Sequence, residues 1–441
     1  MTIIAGGPIG SDDTPASRLK SISDEYIAQM YSIIEINRSV IPEMAAREVD
    51  ELARLRDGVL GRLSREEQKA SAGYLTEIAT SLRSMADAVE SGEERDFKIE
   101  VPERGVGVAV SHLFFQLFSR TKAGPRENLL RKSLLVSAIS TFEVLFGRLA
   151  RTIYTVNTSA LNDSEYSFSL QELAGFASLD DAREYLAERK VSALLRESVD
   201  GWEKWLKKSS GGLSMESLPV HWPLVREAFA RRNLVVHTGG VVNHLYLSIL
   251  EKLDLAEHVK VSPGSQISVH EEYLDRVAQE LLALGRVLVC ALGAKLYKHE
   301  SNRFTKAVIN SVHDCSMQRS WHASRVLSEY AMSCSLDRRD EMLVRVRNWH
   351  SRKRIAGLEN IRQEVEHWDT SGLEVNISSY KKILLEDFVS AVPDVQELIS
   401  QGRLSRFELA TDPIYEGLLS HFAPDPDDPD QASEVGNEVT E

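Results

Sequence analysis

Residues that turn a polypeptide sharply are sparse in this chain: 25 Gly and 13 Pro serve 441 positions. A sandwich or barrel of short strands needs a turn every few residues, and Gly and Pro make most of them. Between the breaks, apolar residues recur at three- and four-residue steps. Val49, Leu52, Leu55 and Val59 follow that spacing, and Ile78, Leu82, Met85 and Val89 repeat it. Such a period puts apolar side chains on one face of a helix. An all-α protein is therefore expected, at a length that calls for two or three domains.

Residues 1–17 include the run GGPIGSDDTP and predict a flexible N-terminus. An N-terminal helical region is expected over 18–110, closing in the break EERDFKIEVPERGVGVAV. The next block, 111–260, reads as a helical bundle. A helix through Leu113, Phe114, Leu117 and Phe118 stops at Lys122-Ala123-Gly124-Pro125. A long helix follows from about Glu127 to Tyr154. Another helical stretch spans about Asp180 to Lys208 and ends in a Ser-Ser-Gly-Gly loop. Pro223 suits the first turn of a further helix that leads into REAFARRNLVVHTGGVVNHLYLSILEKL. Residues 268–420 are helical again, and 423–441 form an acidic, apolar-poor tail expected to be disordered.

A formal charge of −14 argues against broad coating of a nucleic-acid backbone, which needs clustered Lys and Arg. A local basic site remains compatible with it. Cys290, Cys315 and Cys334 are far apart and odd in number, which points to a reducing compartment. No basic segment leading into an apolar one opens the sequence, so a cytoplasmic protein without a secretion signal is expected. The most apolar run, Leu281 to Tyr297, is interrupted by Arg286 and Lys295 and predicts a buried helix, not a membrane span. The patterns GxxxxGKS/T, GxGxxG after a strand, HExxH and GxSxG do not occur. Nucleotide hydrolysis, hydride transfer and zinc proteolysis lose support accordingly.

The residues best suited to chemistry lie between Arg231 and Gly240. Asn233 and His237 are four apart and share a helix face. Arg232 sits about 140° from His237 on an ideal helix. Their convergence requires the length of the Arg side chain or an irregular turn, which Gly239 and Gly240 are placed to supply. These residue types fit RNA cleavage. The ribose 2′-OH is the nucleophile, a histidine exchanges protons near neutral pH, and a guanidinium binds phosphate oxygens as charge builds on them. Neither metal nor cofactor is called for.

The segment RRNLVVHTGGVVNHLYL resembles the signature helix of HEPN domains, in which Arg, a polar residue, three more residues and His recur. The earlier helix carrying Ser140-Thr141-Phe142-Glu143-Val144-Leu145-Phe146 is similar to the HEPN helix that holds an acidic residue in an apolar face. The resemblance covers about residues 125–255. It implies a helical bundle that dimerises with the motif at the two-fold axis. Arg232 and His237 match the catalytic pair, Asn233 the polar position, and Glu143 an acidic position that orients Arg232 or His237. On the residues alone, Glu143 is equally an interior carboxylate paired with Arg148 or Arg232, and Tyr246 is a core residue. The implied activity is a metal-independent RNA endonuclease, used as a toxin or in anti-phage defence.

Some members of this family have lost catalysis, so the alternative is a non-catalytic helical dimerisation or interaction protein. A bundle serving a separate nucleotidyl-transferring enzyme is a third. Arg120, Lys122, Arg126, Arg131 and Lys132 form a basic cluster for RNA approach. The second basic segment, Arg345 to Arg354, mixes cations with Trp349, material for RNA backbone contact and base stacking, and reads in preference as a solvated helix surface followed by a turn. The C-terminal helices resemble degenerate tetratricopeptide units, which would offer a curved surface to a regulatory protein partner.

Overall fold

A computed structural model describes residues 14–47, 50, 54, 61, 64–69, 80, 126–157, 161, 168–371 and 375–422. The expectations for the first residues, for most of 18–110, for the helix through Leu113 and for 423–441 lie outside these, as do Arg120 and Lys122. Among the described residues the regular structure is helical and no strand occurs, so the fold is all-α. The principal helices are α1 (Pro15–Glu35), α2 (Arg126–Val156), α3 (Leu179–Leu194), α4 (Val199–Ser209), α5 (Trp222–Thr238), α6 (His244–Lys252) and α7 (Glu271–Leu296). They continue with α8 (Ser301–Met317), α9 (Trp321–Met332), α10 (Arg338–Ala356), α11 (Val375–Leu384) and α12 (Phe388–Ser400).

The chain divides into two compact units, one of residues 1–32, 137–265 and 276–441, the other of 33–136 and 266–275. In the larger unit, rings from successive helices build the core. Phe142 of α2 meets Tyr26 of α1 at 6.4 Å and Phe229 of α5 at 6.2 Å between centroids. Phe146, one turn further along α2, stacks on Trp202 of α4 at 4.8 Å. Offset and edge contacts of this kind add to the burial of large apolar surfaces. Leu281 to Val289 of α7 are buried, and Arg286 among them is satisfied internally. Its guanidinium donates to Ser23 Oγ at 2.7 Å, Ser311 Oγ at 3.0 Å and the Ala307 carbonyl at 3.2 Å. Two described helices, α2 and α7, are long and apolar enough to cross a membrane by length and composition, and the apolar stretch of α7 is mostly enclosed by the protein itself.

Two helical expectations are corrected. The stretch Asp180–Lys208 is not one helix but two, because α3 ends at Leu194 and Ser198 caps α4, accepting from the Gly201 amide at 3.2 Å. Trp202 fixes this break by donating its indole N–H back to the Leu194 carbonyl at 2.8 Å. The helix through Arg232 likewise stops at Thr238, and a separate helix, capped by Asn243, carries Tyr246.

The segment Arg345–Arg354 is a solvated surface only in part: Arg345 and Arg354 are exposed, and Arg347, Arg352 and Lys353 are partly so. Val346, Asn348, Trp349, His350 and Ser351 of α10 are buried. Of the cations on this helix, Arg347 pairs with Asp412, Arg352 with Glu364, Lys353 with Glu386 and Arg354 with Glu416, while Arg345 pairs with Glu341. This helix is a packing hub for the C-terminal core, which gathers Trp349, Ile361, Val395, Leu398 and Tyr415.

In the smaller unit, a π-helical turn at Ile36–Val40 buries Asn37. The Asn37 side chain accepts from Arg131 Nε at 3.0 Å and donates to the Glu271 carbonyl at 3.0 Å. Arg131 also pairs with Glu127 and with Glu271.

Candidate active site

Helix α5 begins where Pro223 occupies its first turn, which needs no amide donor there. His221 caps it, with Nδ1 accepting from the Leu224 amide at 3.1 Å. At the other end Gly239, at φ +64°, takes the left-handed conformation that closes a helix, and its amide and that of Gly240 both reach the Leu234 carbonyl. The apolar face, with Val225, Ala228, Phe229 and Leu234, is buried. Between those ends the helix is regular. Gly239 and Gly240 therefore do not distort the turn joining Arg232 to His237, as the sequence suggested, but terminate it after His237.

Arg226, Ala230, Asn233 and His237 fall at steps of four, three and four along α5 and form one stripe, with Arg232 on the neighbouring one. Both stripes open on a cleft of about 590 Å³. Glu143 of α2, Arg232, Asn233 and His237 all line it, so the four side chains singled out in the sequence share one cavity. The floor is apolar, from Trp202, Phe229 and Ile249. The opposite wall is the α3–α4 junction, with Arg196, Glu197, Ser198 and Asp200.

Arg232 pairs with Glu143 across the cleft, their side chains 19% and 25% exposed. Arg148, the other partner considered for Glu143, pairs with Glu25 instead. Arg232 Nε is buried and has no hydrogen-bond partner among the described residues. Burial lowers the Arg232 pKa from the ordinary arginine value, which starts so high that the charge remains. Asn233 and His237 are exposed, and neither side chain is held by a partner among the described residues. The cleft thus presents a fixed guanidinium, held by a carboxylate, beside an accessible imidazole and an accessible amide. Such a set can bind an anion and move a proton on a substrate that brings its own nucleophile.

Tyr246 is buried on α6, where its hydroxyl donates to the buried Glu227 carboxylate, so it belongs to the core. The basic cluster proposed for RNA approach is split. Arg131 is buried in its ion pairs, Arg126 is exposed, and Lys132 is half-buried with its pKa lowered by that burial. These three belong to the smaller unit. Arg226, Arg196 and Asp200 escaped the sequence reading. The stripe of four-, three- and four-residue steps ending at His237 points to Arg226, and the Ser198 cap signal places Asp200 in a first helical turn. Among the described residues no three His, Cys, Asp or Glu side chains converge as a metal-binding group.

No protein-family model, no curated protein and no solved structure matches this chain.

Proposed function

We propose that the chain is an RNA endonuclease of HEPN type that cleaves without a metal. The observation that carries the reading is the gathering of Glu143, Arg232, Asn233 and His237 on one open cleft. His237 as a neutral imidazole takes the proton of a ribose 2′-OH, and the freed oxygen attacks the adjacent phosphorus. The bond to the 5′-oxygen breaks, and that oxygen leaves with a proton from an imidazolium. The products are a 2′,3′-cyclic phosphate and a 5′-hydroxyl. Arg232 binds the non-bridging oxygens as negative charge concentrates on them, Glu143 holds Arg232 in place, and Asn233 hydrogen-bonds the strand.

Val144 and Val236 are exposed apolar residues next in sequence to Glu143 and His237, and Val241 and Leu245, four and eight positions past His237, are exposed as well. A homodimer joined there would put two copies of His237 at one site, one as base and one as acid. These exposed residues also favour a second reading, a non-catalytic dimerisation or interaction module. A toxin or anti-phage role in the cytoplasm follows from the HEPN resemblance.

The test is induced expression of wild type, Arg232→Ala and His237→Ala at matched protein levels, with the ends of cellular RNA mapped. Growth arrest and cyclic-phosphate ends in the wild type alone support the ribonuclease. Equal arrest by all three removes Arg232 and His237 from the chemistry. Intact RNA in every strain, with partner binding that survives His237→Ala, selects the interaction module.

A further inference from the structure

We infer that Arg226 is a second phosphate-binding residue of the cleft, held ready by Asp200 and exchanged onto a backbone phosphate away from the cleaved bond. The inference rests on the ribonuclease reading and adds a specificity-determining contact to it.

Arg226 lies on the α5 stripe that ends at His237, and Ala230 between it and Asn233 leaves the cleft open along that line. At about 1.5 Å per helical residue, Arg226 stands about 9 Å along the axis from Arg232. A stacked strand rises about 3.4 Å per nucleotide. For a strand laid along α5 at that spacing, a guanidinium at that separation meets a phosphate two or three nucleotides from the one bound by Arg232.

Its present partner suits such an exchange. Arg226 Nη2 donates to Asp200 Oδ2 at 2.7 Å, with the two side chains 33% and 48% exposed. An ion pair this open contributes little to folding, so giving it up costs little. Asp200 sits in the first turn of α4, where the helix N-terminus stabilises a carboxylate that has lost its cation. Arg231, five positions on, shows the contrast: it is buried against the fully buried Glu227 and is not available for any ligand.

The experiment uses the full chain and single-stranded oligoribonucleotides in which one phosphate at a time is replaced by a neutral methylphosphonate. In the wild type, neutralising the linkage two or three nucleotides from the cut on one side should raise KM about tenfold, the size of a lost hydrogen bond to a charged group, with kcat nearly unchanged. Arg226→Ala should show the same rise on unmodified RNA and no further response to that replacement. Its log–log salt dependence should be shallower by about one. Asp200→Asn, which frees Arg226, should shift KM the opposite way or leave it unchanged, and Arg226→Lys should fall between. A structural role for the pair would instead make Arg226→Ala and Asp200→Asn err in the same direction. If wild type cuts RNA while Arg226→Ala keeps the wild-type KM and the wild-type methylphosphonate response, the inference fails and the ribonuclease stands. If wild type cuts none of the RNAs while folded, the ribonuclease reading fails and the inference with it.

Discussion

Arg231 and Arg232 are neighbours in sequence with opposite duties. Arg231 is 5% exposed, and its Nε donates to Glu227 Oε1 at 2.7 Å, while the Tyr246 hydroxyl donates to the same carboxylate. Removing Arg231 strands a buried negative charge. Arg231→Ala should therefore destabilise the protein by about 3–5 kcal/mol, read as a lowered urea midpoint. Arg232 faces the cleft and pairs with a partly exposed Glu143, so Arg232→Ala should cost less stability than Arg231→Ala and, on the ribonuclease reading, abolish RNA cleavage. Equal losses of stability in the two variants would contradict this division. Tyr246→Phe deletes a donor to a charged acceptor and should cost about 1.5–3 kcal/mol with cleavage retained. The sequence offers two adjacent arginines; the spacing to His237 singles out Arg232 for the site, but nothing in it says that Arg231 is buried. Helix geometry sets them 100° apart, and only the neighbours packed on each side decide which one is interior.

Helices α2 and α5 were legible as elements, because apolar spacing and Pro223 are local signals. The break between α3 and α4 was not read, since Leu195-Arg196-Glu197-Ser198 contains no Gly or Pro and its one local signal is the Ser198 cap. It is imposed by Trp202, which must reach both Phe146 and the Leu194 carbonyl. That break forms the far wall of the cleft, so the part of the site supplied by tertiary packing is the part the sequence hid. Two glycines hold elements in place. Gly239→Ala would force a side chain into the left-handed region at φ +64°, at about 1–2 kcal/mol, and should fray the turn carrying His237. Gly285 of α7 lets α1 and α2 approach closely, for a Cβ there would lie 2.2 Å from Tyr26 Cε1 and 2.7 Å from Leu145 Cδ2. Gly285→Ala should cost about 1–3 kcal/mol by overpacking, measured by thermal unfolding. The exposed Val236 tests assembly: Val236→Asp should shift a dimer to monomer in sedimentation velocity without changing the helical content, and an unaltered sedimentation coefficient would count against dimerisation through this face.

On the scale of the molecule, the C-terminal core makes stability sensitive to acid. His350 of α10 is buried, its Nδ1 without a hydrogen-bond partner among the described residues, and its ring packs edge-on against Trp321 at 5.0 Å. Burial, helped by the nearby Arg347 charge, pulls its pKa down to about 3. Between that value and the unfolded pKa near 6.5, the unfolded chain holds a proton that the folded chain refuses. Stability is thus fully present above about pH 6.5 and falls as pH drops toward 3. Asp412 extends the trend to lower pH: burial pushes its carboxyl up, but the hydrogen bond and charge of Arg347 outweigh this and hold it below the usual aspartate value. Urea midpoints at pH 7, 5 and 4 should fall for the wild type and fall less for His350→Phe. Parallel curves would show that His350 does not govern the acid response.

The sequence by itself determined that the chain is helical, where several helices start and stop, and that Arg232, Asn233 and His237 share a short run with the makings of phosphate chemistry. These are properties of neighbours within a few positions, where the helical period and turn-forming residues act. Only the tertiary structure decided that Glu143, 89 residues from Arg232 in sequence, is its partner, that Arg226 and Asp200 complete the cleft, and that Asn348, Trp349 and His350 of α10 are interior. Those outcomes depend on which helix faces pack together, and packing joins residues whose separation along the chain carries no trace of their contact.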